Sequence, residues 1–117
     1  MVRRKLAILY IYRDEWTKFT VYANFWFGNL NFHGYEVLRD ETESSMFNSL
    51  FTHEIHISKS NIPELCIALK LKTTSQDELF IKLRERFSGK NGLYKLTDFL
   101  KDHGIKCREY IHDNRGE

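Results

Sequence analysis

The sequence contains one proline, two cysteines and no long apolar run in its 117 residues. Each scarcity excludes something. Cys66 and Cys107 lie far apart, each within an apolar stretch, so they read as buried free thiols of a reducing cytoplasm and not as a disulfide framework. No segment approaches the roughly 20 apolar residues that a membrane span requires. The opening MVRRKLAILYIYRDEW has the basic end and short apolar run of a signal peptide but lacks a small-residue cleavage site, so an unprocessed, soluble chain is expected. A nucleophile elbow, a phosphate-binding glycine loop, a zinc-type cysteine pair and a dinucleotide fingerprint are all missing. The net charge is only +2, too little to mark a nucleic-acid-binding chain by itself.

What is present is an ordinary globular balance, 42% hydrophobic and 29% charged, with a high aromatic share of 15%. A chain of this length suits one domain over residues 1–117, able to bury a single core without covalent help. Charge is unevenly spread. Residues 1–13 carry four basic groups and no acid, residues 14–58 a net of −5, and residues 59–117 a net of +3. The acidic middle is either a solvated face or a docking surface for a basic partner.

Hydrophobic periodicity divides the chain near residue 60. Before it, KLAILYIYR (5–13) is apolar on both faces, as in a central strand covered on both sides, and TKFTVYANFWF (17–27), LNFHGYEVL (30–38, interrupted near Gly34) and FTHEIHIS (51–58) alternate as strands, with turn chemistry at Asp14 and Glu15 and at Gly28 and Asn29. After it the period becomes helical. Asn61, Pro63 and Glu64 read as a helix start with Asn61 as cap, running to about Lys70. Ser75 and Glu78 form a capping box ahead of Leu79, Phe80, Leu83 and Phe87 on one face, and Gly89 and Gly92 end the helix. A third helix turns Leu93, Leu96, Phe99 and Leu100 inward and stops at Gly104, and IKCREYI (105–111) closes as a strand. The pattern predicts an α+β domain, an antiparallel sheet of four to five strands with three helices packed on one face.

Chemistry is sparse. In FTHEIHIS, His53, Glu54 and His56 fall within four residues, but strand alternation sends His53 to one face with Phe51, Ile55 and Ile57, and Glu54 and His56 to the other. A helical metalloprotease motif needs histidines at i and i+4, whereas these are three apart, so no metal site and no cofactor is expected. His33, His53, His56, His103 and His112 are enough to assemble a ribonuclease-like acid/base pair, yet no spacing supports one, and the chain is not read as an enzyme. The alternative of a small RNA-binding module would use Tyr10, Tyr12, Tyr22 and Trp26 as a stacking platform, with Arg3, Arg4 and Lys5 on phosphate. Asp14, Glu15 and Glu36 adjoin that platform and oppose the alternative, so direct nucleic-acid binding is not the preferred reading.

The succession of an aromatic hairpin with a tryptophan-bearing strand, GYEV, FTHEIHIS, NIPELCIAL, DELFIKLRERF and LTDFLKDHGIKCREY resembles small bacterial immunity proteins. These are the cytoplasmic antidotes encoded beside contact-dependent growth inhibition toxins and related polymorphic toxins. The resemblance implies a non-catalytic protein that forms a 1:1 heterodimer with one cognate toxin domain, often a nuclease, and blocks its active site or substrate approach. It carries no site residues over. On physical grounds Glu36, Asp40, Glu41 and Glu43 are candidate contacts, because a cleft built for phosphate is positive and an acidic loop imitates its substrate. Tyr22, Trp26 and Tyr35 are the candidate apolar anchors.

Overall fold

A computed structural model describes residues 5–38, 50–73 and 75–113. The chain runs β1 (Lys5–Arg13), β2 (Thr17–Trp26), β3 (Asn29–Leu38), β4 (Phe51–Ile57), a 3-10 turn (Lys59–Asn61), α1 (Ile62–Ala68), α2 (Gln76–Phe87), α3 (Gly92–Asp102) and β5 (Arg108–Asp113). All neighbouring strands are antiparallel, in the order β1-β2-β3-β4-β5. The fold is α+β, and the switch of period near residue 60 marks where sheet gives way to helices.

Alternation decides which side chains meet the helices. Phe19, Val21, Ala23 and Phe25 of β2, Leu30 and Phe32 of β3, and Phe51, Ile55 and Ile57 of β4 are buried, and they share one core with Leu65, Leu79, Leu83, Leu96 and Leu100 from the helices. Phe25 against Phe80, ring centroids 5.2 Å apart, ties β2 to α2. With the helices on one side only, the molecule is two layers thick, 22 Å along its shortest axis.

β1 is an edge strand with Leu6, Ile8 and Ile11 exposed, not the doubly covered central strand that its two apolar faces suggest, and it does not alternate throughout. Its pairing with β2 shifts between Ile8 and Tyr10, so Leu9 is the extra residue of a bulge. Ala7 and Leu9 are buried, and beyond the bulge Tyr10 faces the core, edge-on to Phe19 at 6.1 Å, while Ile11 faces out. Arg84 of α2 donates from Nε to the Ile8 carbonyl at 3.1 Å.

The turns and caps follow from local chemistry, with several departures from the sequence reading. Asp14 Oδ1 accepts from the backbone N–H groups of Trp16 and Thr17, both at 2.8 Å, and so folds the β1–β2 connection. The β2–β3 turn lies at Phe27 and Gly28, not at Gly28 and Asn29. Both residues have positive φ, 51° and 82°, the signature of a type I′ hairpin, and Asn29 already pairs with Trp26. β3 passes through Gly34 without a break. The glycine faces Leu93 of α3, and a Cβ there would lie 3.0 Å from Leu93 Cδ1. Asn61 does not cap α1 with its side chain: its backbone is already helical at φ −101° and ψ −2°, continuing the 3-10 turn, and the helix ends at Ala68, short of Lys70. Of the capping box, Ser75 Oγ accepts from Glu78 N–H at 3.5 Å. Gly92 opens α3 instead of ending α2. The final strand starts at Arg108, since Ile105 closes α3: Gly104 N–H bonds to Lys101 O and Ile105 N–H to Leu100 O, a Schellman ending that buries Ile105.

Candidate functional site

Because the helices occupy one side, the residues of opposite parity form an open sheet face. Register arranges them in three cross-strand rows. The first is Leu6, Asn24, Asn31, His56 and Arg108; the second Ile8, Tyr22, His33, Glu54 and Tyr110; the third Ile11, Thr20, Tyr35, Thr52 and His112. Each row begins with an aliphatic side chain on β1 and ends with a basic or aromatic one on β5. Leu6, Ile11 and Tyr110 are each about half exposed, at 53%, 51% and 53%.

The centre of this face is a cluster of rings around one carboxylate. Tyr22 stacks on His33 with centroids 4.9 Å apart and 21° between planes, and meets Tyr35 edge-on at 6.4 Å. His33 and His56 lie 5.9 Å apart at 79°. Glu54 Oε1 sits between the imidazoles, 3.2 Å from His33 Nδ1 and 3.6 Å from His56 Nε2. His56 Nδ1 is 2.6 Å from Asn31 Oδ1; a carbonyl oxygen only accepts, so Nδ1 carries the proton. In the same face, Thr20 Oγ1 and Asn24 Oδ1 of β2 are buried without a hydrogen-bond partner among the described residues.

His53, three residues from His56, belongs to the other side. It is 1% exposed, lies 4.8 Å from the Tyr94 ring and 2.6 Å from Glu109 Oε2, and Thr97 Oγ1 donates to the same carboxylate oxygen at 3.0 Å. Burial alone would raise the Glu109 carboxyl, but the hydrogen bonds from His53 and Thr97, with the charges of His53 and Lys101, carry it below the ordinary glutamate value. An ionised carboxylate accepts only, so His53 Nε2 is the donor. This pin joins β4, α3 and β5. The two cysteines are free; Cys66 is buried, Cys107 half-buried, and burial pushes both thiols up.

The candidate contacts read from the sequence separate here. Tyr22 and Tyr35 meet at the centre of the open face, and Trp26 stands at its end, 39% exposed and edge-on to Phe27 at 4.8 Å. Glu36 has the opposite parity, in register with Phe19 and Phe51, and lines a cavity of about 340 Å³ with Tyr10, Tyr12, Asp14 and Lys90. It shares no surface with the three rings. Asp40, Glu41 and Glu43 lie outside the described residues, as do Arg3 and Arg4. The four-ring RNA platform is divided by the bulge, which turns Tyr10 and Tyr12 to the helix side and leaves Tyr22 and Trp26 on the open one. Of the five histidines, the fold unites His33 and His56 around Glu54 and sends His53 inside; His103 packs on Phe99 at 4.4 Å, and His112 ends the third row. The His33–Glu54 pairing was invisible in the sequence, because only strand register sets it.

Fold and face together define an α+β protein with one covered and one open sheet surface. No family model matches the chain, nor does any curated protein or solved structure. Among the described residues no helix is long and apolar enough to cross a membrane.

Proposed function

We propose that this chain is a cytoplasmic immunity protein, which neutralises a cognate bacterial toxin domain, a nuclease in the first instance, by holding it against the open sheet face in a 1:1 complex. One observation carries the reading: Leu6, Ile8 and Ile11 on β1, the Tyr22 and Tyr35 rings at the centre and Tyr110 on β5 lie along a face that none of the described elements covers. Exposed apolar surface of this extent, bordered by polar groups, is characteristic of a protein-binding site. Tyr22 and Tyr35 stand at its middle, where buried rings slow dissociation most, and Trp26 extends it at the hairpin tip. An antidote has to bind tightly, at nanomolar Kd or better, which corresponds to about −12 kcal/mol.

Co-expression with the toxin domain encoded in the adjoining gene tests this. Cells survive when the chain is present and die in its absence, and Tyr22→Ala or Trp26→Ala raises the off-rate of the purified complex. Death with or without the chain, or binding indifferent to both substitutions, refutes the reading.

A further inference from the structure

At the end of the open face where β3 begins, β4 ends and β5 begins lies a cavity of about 570 Å³. Its size falls within the roughly 300–1,000 Å³ of small-molecule sites. Lys106 and Arg108 contribute two cations, and among the described residues no aspartate or glutamate lines it. Glu109, between them in sequence, points to the other side of the sheet, onto His53 and Thr97. Neither Lys106 nor Arg108 makes an ion pair among the described residues.

The neutral groups of the lining are also biased towards donation. Asn29 Oδ1 accepts from the Lys59 backbone N–H at 3.0 Å, and Asn31 Oδ1 accepts from His56 Nδ1 at 2.6 Å. With both carbonyl oxygens used inside the protein, the two amides have their Nδ2 amino groups left to offer. Ser58 and Asn61 complete the polar wall. Cys107 adds no negative charge, since burial, assisted by Glu109 and opposed by Lys101, holds its thiol in the protonated form. Two cations and a set of donors around a small-molecule volume call for an acceptor-rich dianion.

We propose that this cavity binds a phosphate monoester of nucleotide size, the phosphate on Lys106 and Arg108 and the base towards the His56 rim, from which the His33 and Tyr22 rings continue across the face. A monoester carries a charge of about −1.5 to −2 at neutral pH, which two cations match, whereas a diester carries one. His56 lines the cavity and contacts the His33 ring edge-on, so a flat base meets an aromatic border next to its phosphate. The site shares its His56 and Arg108 edge with the open face but does not depend on the toxin-binding reading, and it is tested on the isolated chain.

The test is NMR titration of the isotope-labelled protein with AMP, cyclic AMP, adenosine and inorganic phosphate. AMP shifts the resonances of Lys106, Arg108, Asn31 and His56 with a Kd near or below about 1 mM, inorganic phosphate shifts the Lys106 and Arg108 subset more weakly, cyclic AMP binds about tenfold less tightly than AMP, and adenosine leaves the cavity unshifted. Lys106→Ala and Arg108→Ala each weaken AMP by about tenfold, while Lys90→Ala, in the other cavity, has no effect. Both cations are exposed, so these variants keep the fold, and an unchanged amide spectrum verifies it. No shift with AMP, equal shifts with adenosine or cyclic AMP, or AMP affinity unchanged in both cation variants overturns the proposal. Survival in the co-expression assay is unaffected by any of these results, so the two readings fail separately.

Discussion

His53 and His56 stand three residues apart on one strand and illustrate how differently the two faces of the sheet use the same side chain. On the covered face, His53 is enclosed by Phe51 and Tyr94, and its one polar contact is the carboxylate that fastens β5 to α3. On the open face, His56 is a half-exposed member of a ring cluster and borders a cavity. The imidazole is not intrinsically structural or functional. Parity assigns its role, since adjacent strand positions are delivered to opposite environments.

The comparison breaks most visibly in the core. Phe32→Ala, at a fully buried position on β3, is expected to cost about 3–5 kcal/mol, against at most about 1 kcal/mol for Tyr22→Ala, whose ring is a cross-strand partner on the open side. Urea unfolding of the two variants measures the contrast, and equal losses would mean that the open face is as structural as the covered one. The histidines give a smaller version. His53→Leu takes the donor from Glu109 and costs about 1–3 kcal/mol, while His56→Leu stays within about 1 kcal/mol.

Acid sharpens the same distinction. The folded-state pKa of Glu109 is depressed, so its contribution is complete above the unfolded value of about 4.3 and is lost as pH falls through the lower folded value. Glu109→Gln is therefore less stable than the natural chain at neutral pH and converges on it below about pH 4, as thermal melts across that range would show. A gap independent of pH would contradict the assigned role of the ionised carboxylate. The smallest expected change is on the aliphatic border: Ile8→Ser and Ile11→Ser alter stability by no more than about 0.5 kcal/mol each, yet under the proposed function the two together weaken the complex with a toxin domain by at least about tenfold. Calorimetry of chain and complex separates the two quantities.

Much of this architecture was legible from local pattern. The β1 boundaries, the opposite parity of His53 and His56, and the buried stripe of Leu79, Phe80, Leu83 and Phe87 all follow from period two and period 3.6. What escaped depends on distant neighbours. Gly34 reads as a break because glycine weakens strands, yet α3 needs its missing side chain. Ile105 alternates with Cys107 as in a strand, yet the helix ending claims it. The candidate site was half visible: Tyr22, Trp26 and Tyr35 alternate onto one side, but their union with His33, Glu54 and His56 requires register between strands 21 residues apart in sequence, which no local spacing encodes. The bulge at Leu9 likewise leaves no mark in KLAILYIYR, and it reverses the sides of Tyr10, Ile11 and Tyr12.

That bulge has a bearing on solubility. The outer strands of an open sheet offer backbone groups to any passing chain, and five antiparallel strands in a row leave two such borders. Along β5, four of six side chains are ionisable, so a second molecule pairing there would have to bury charge. Along β1, where Leu6, Ile8 and Ile11 face outward ahead of Arg13 and offer no repulsion, the irregular spacing interrupts the ladder and Arg84 occupies the Ile8 carbonyl. Arg84 thus works as a colloidal safeguard: Arg84→Ala leaves the folded monomer little changed, and its cost emerges on concentration, as fibrous or oligomeric material that light scattering detects in the variant and not in the natural chain.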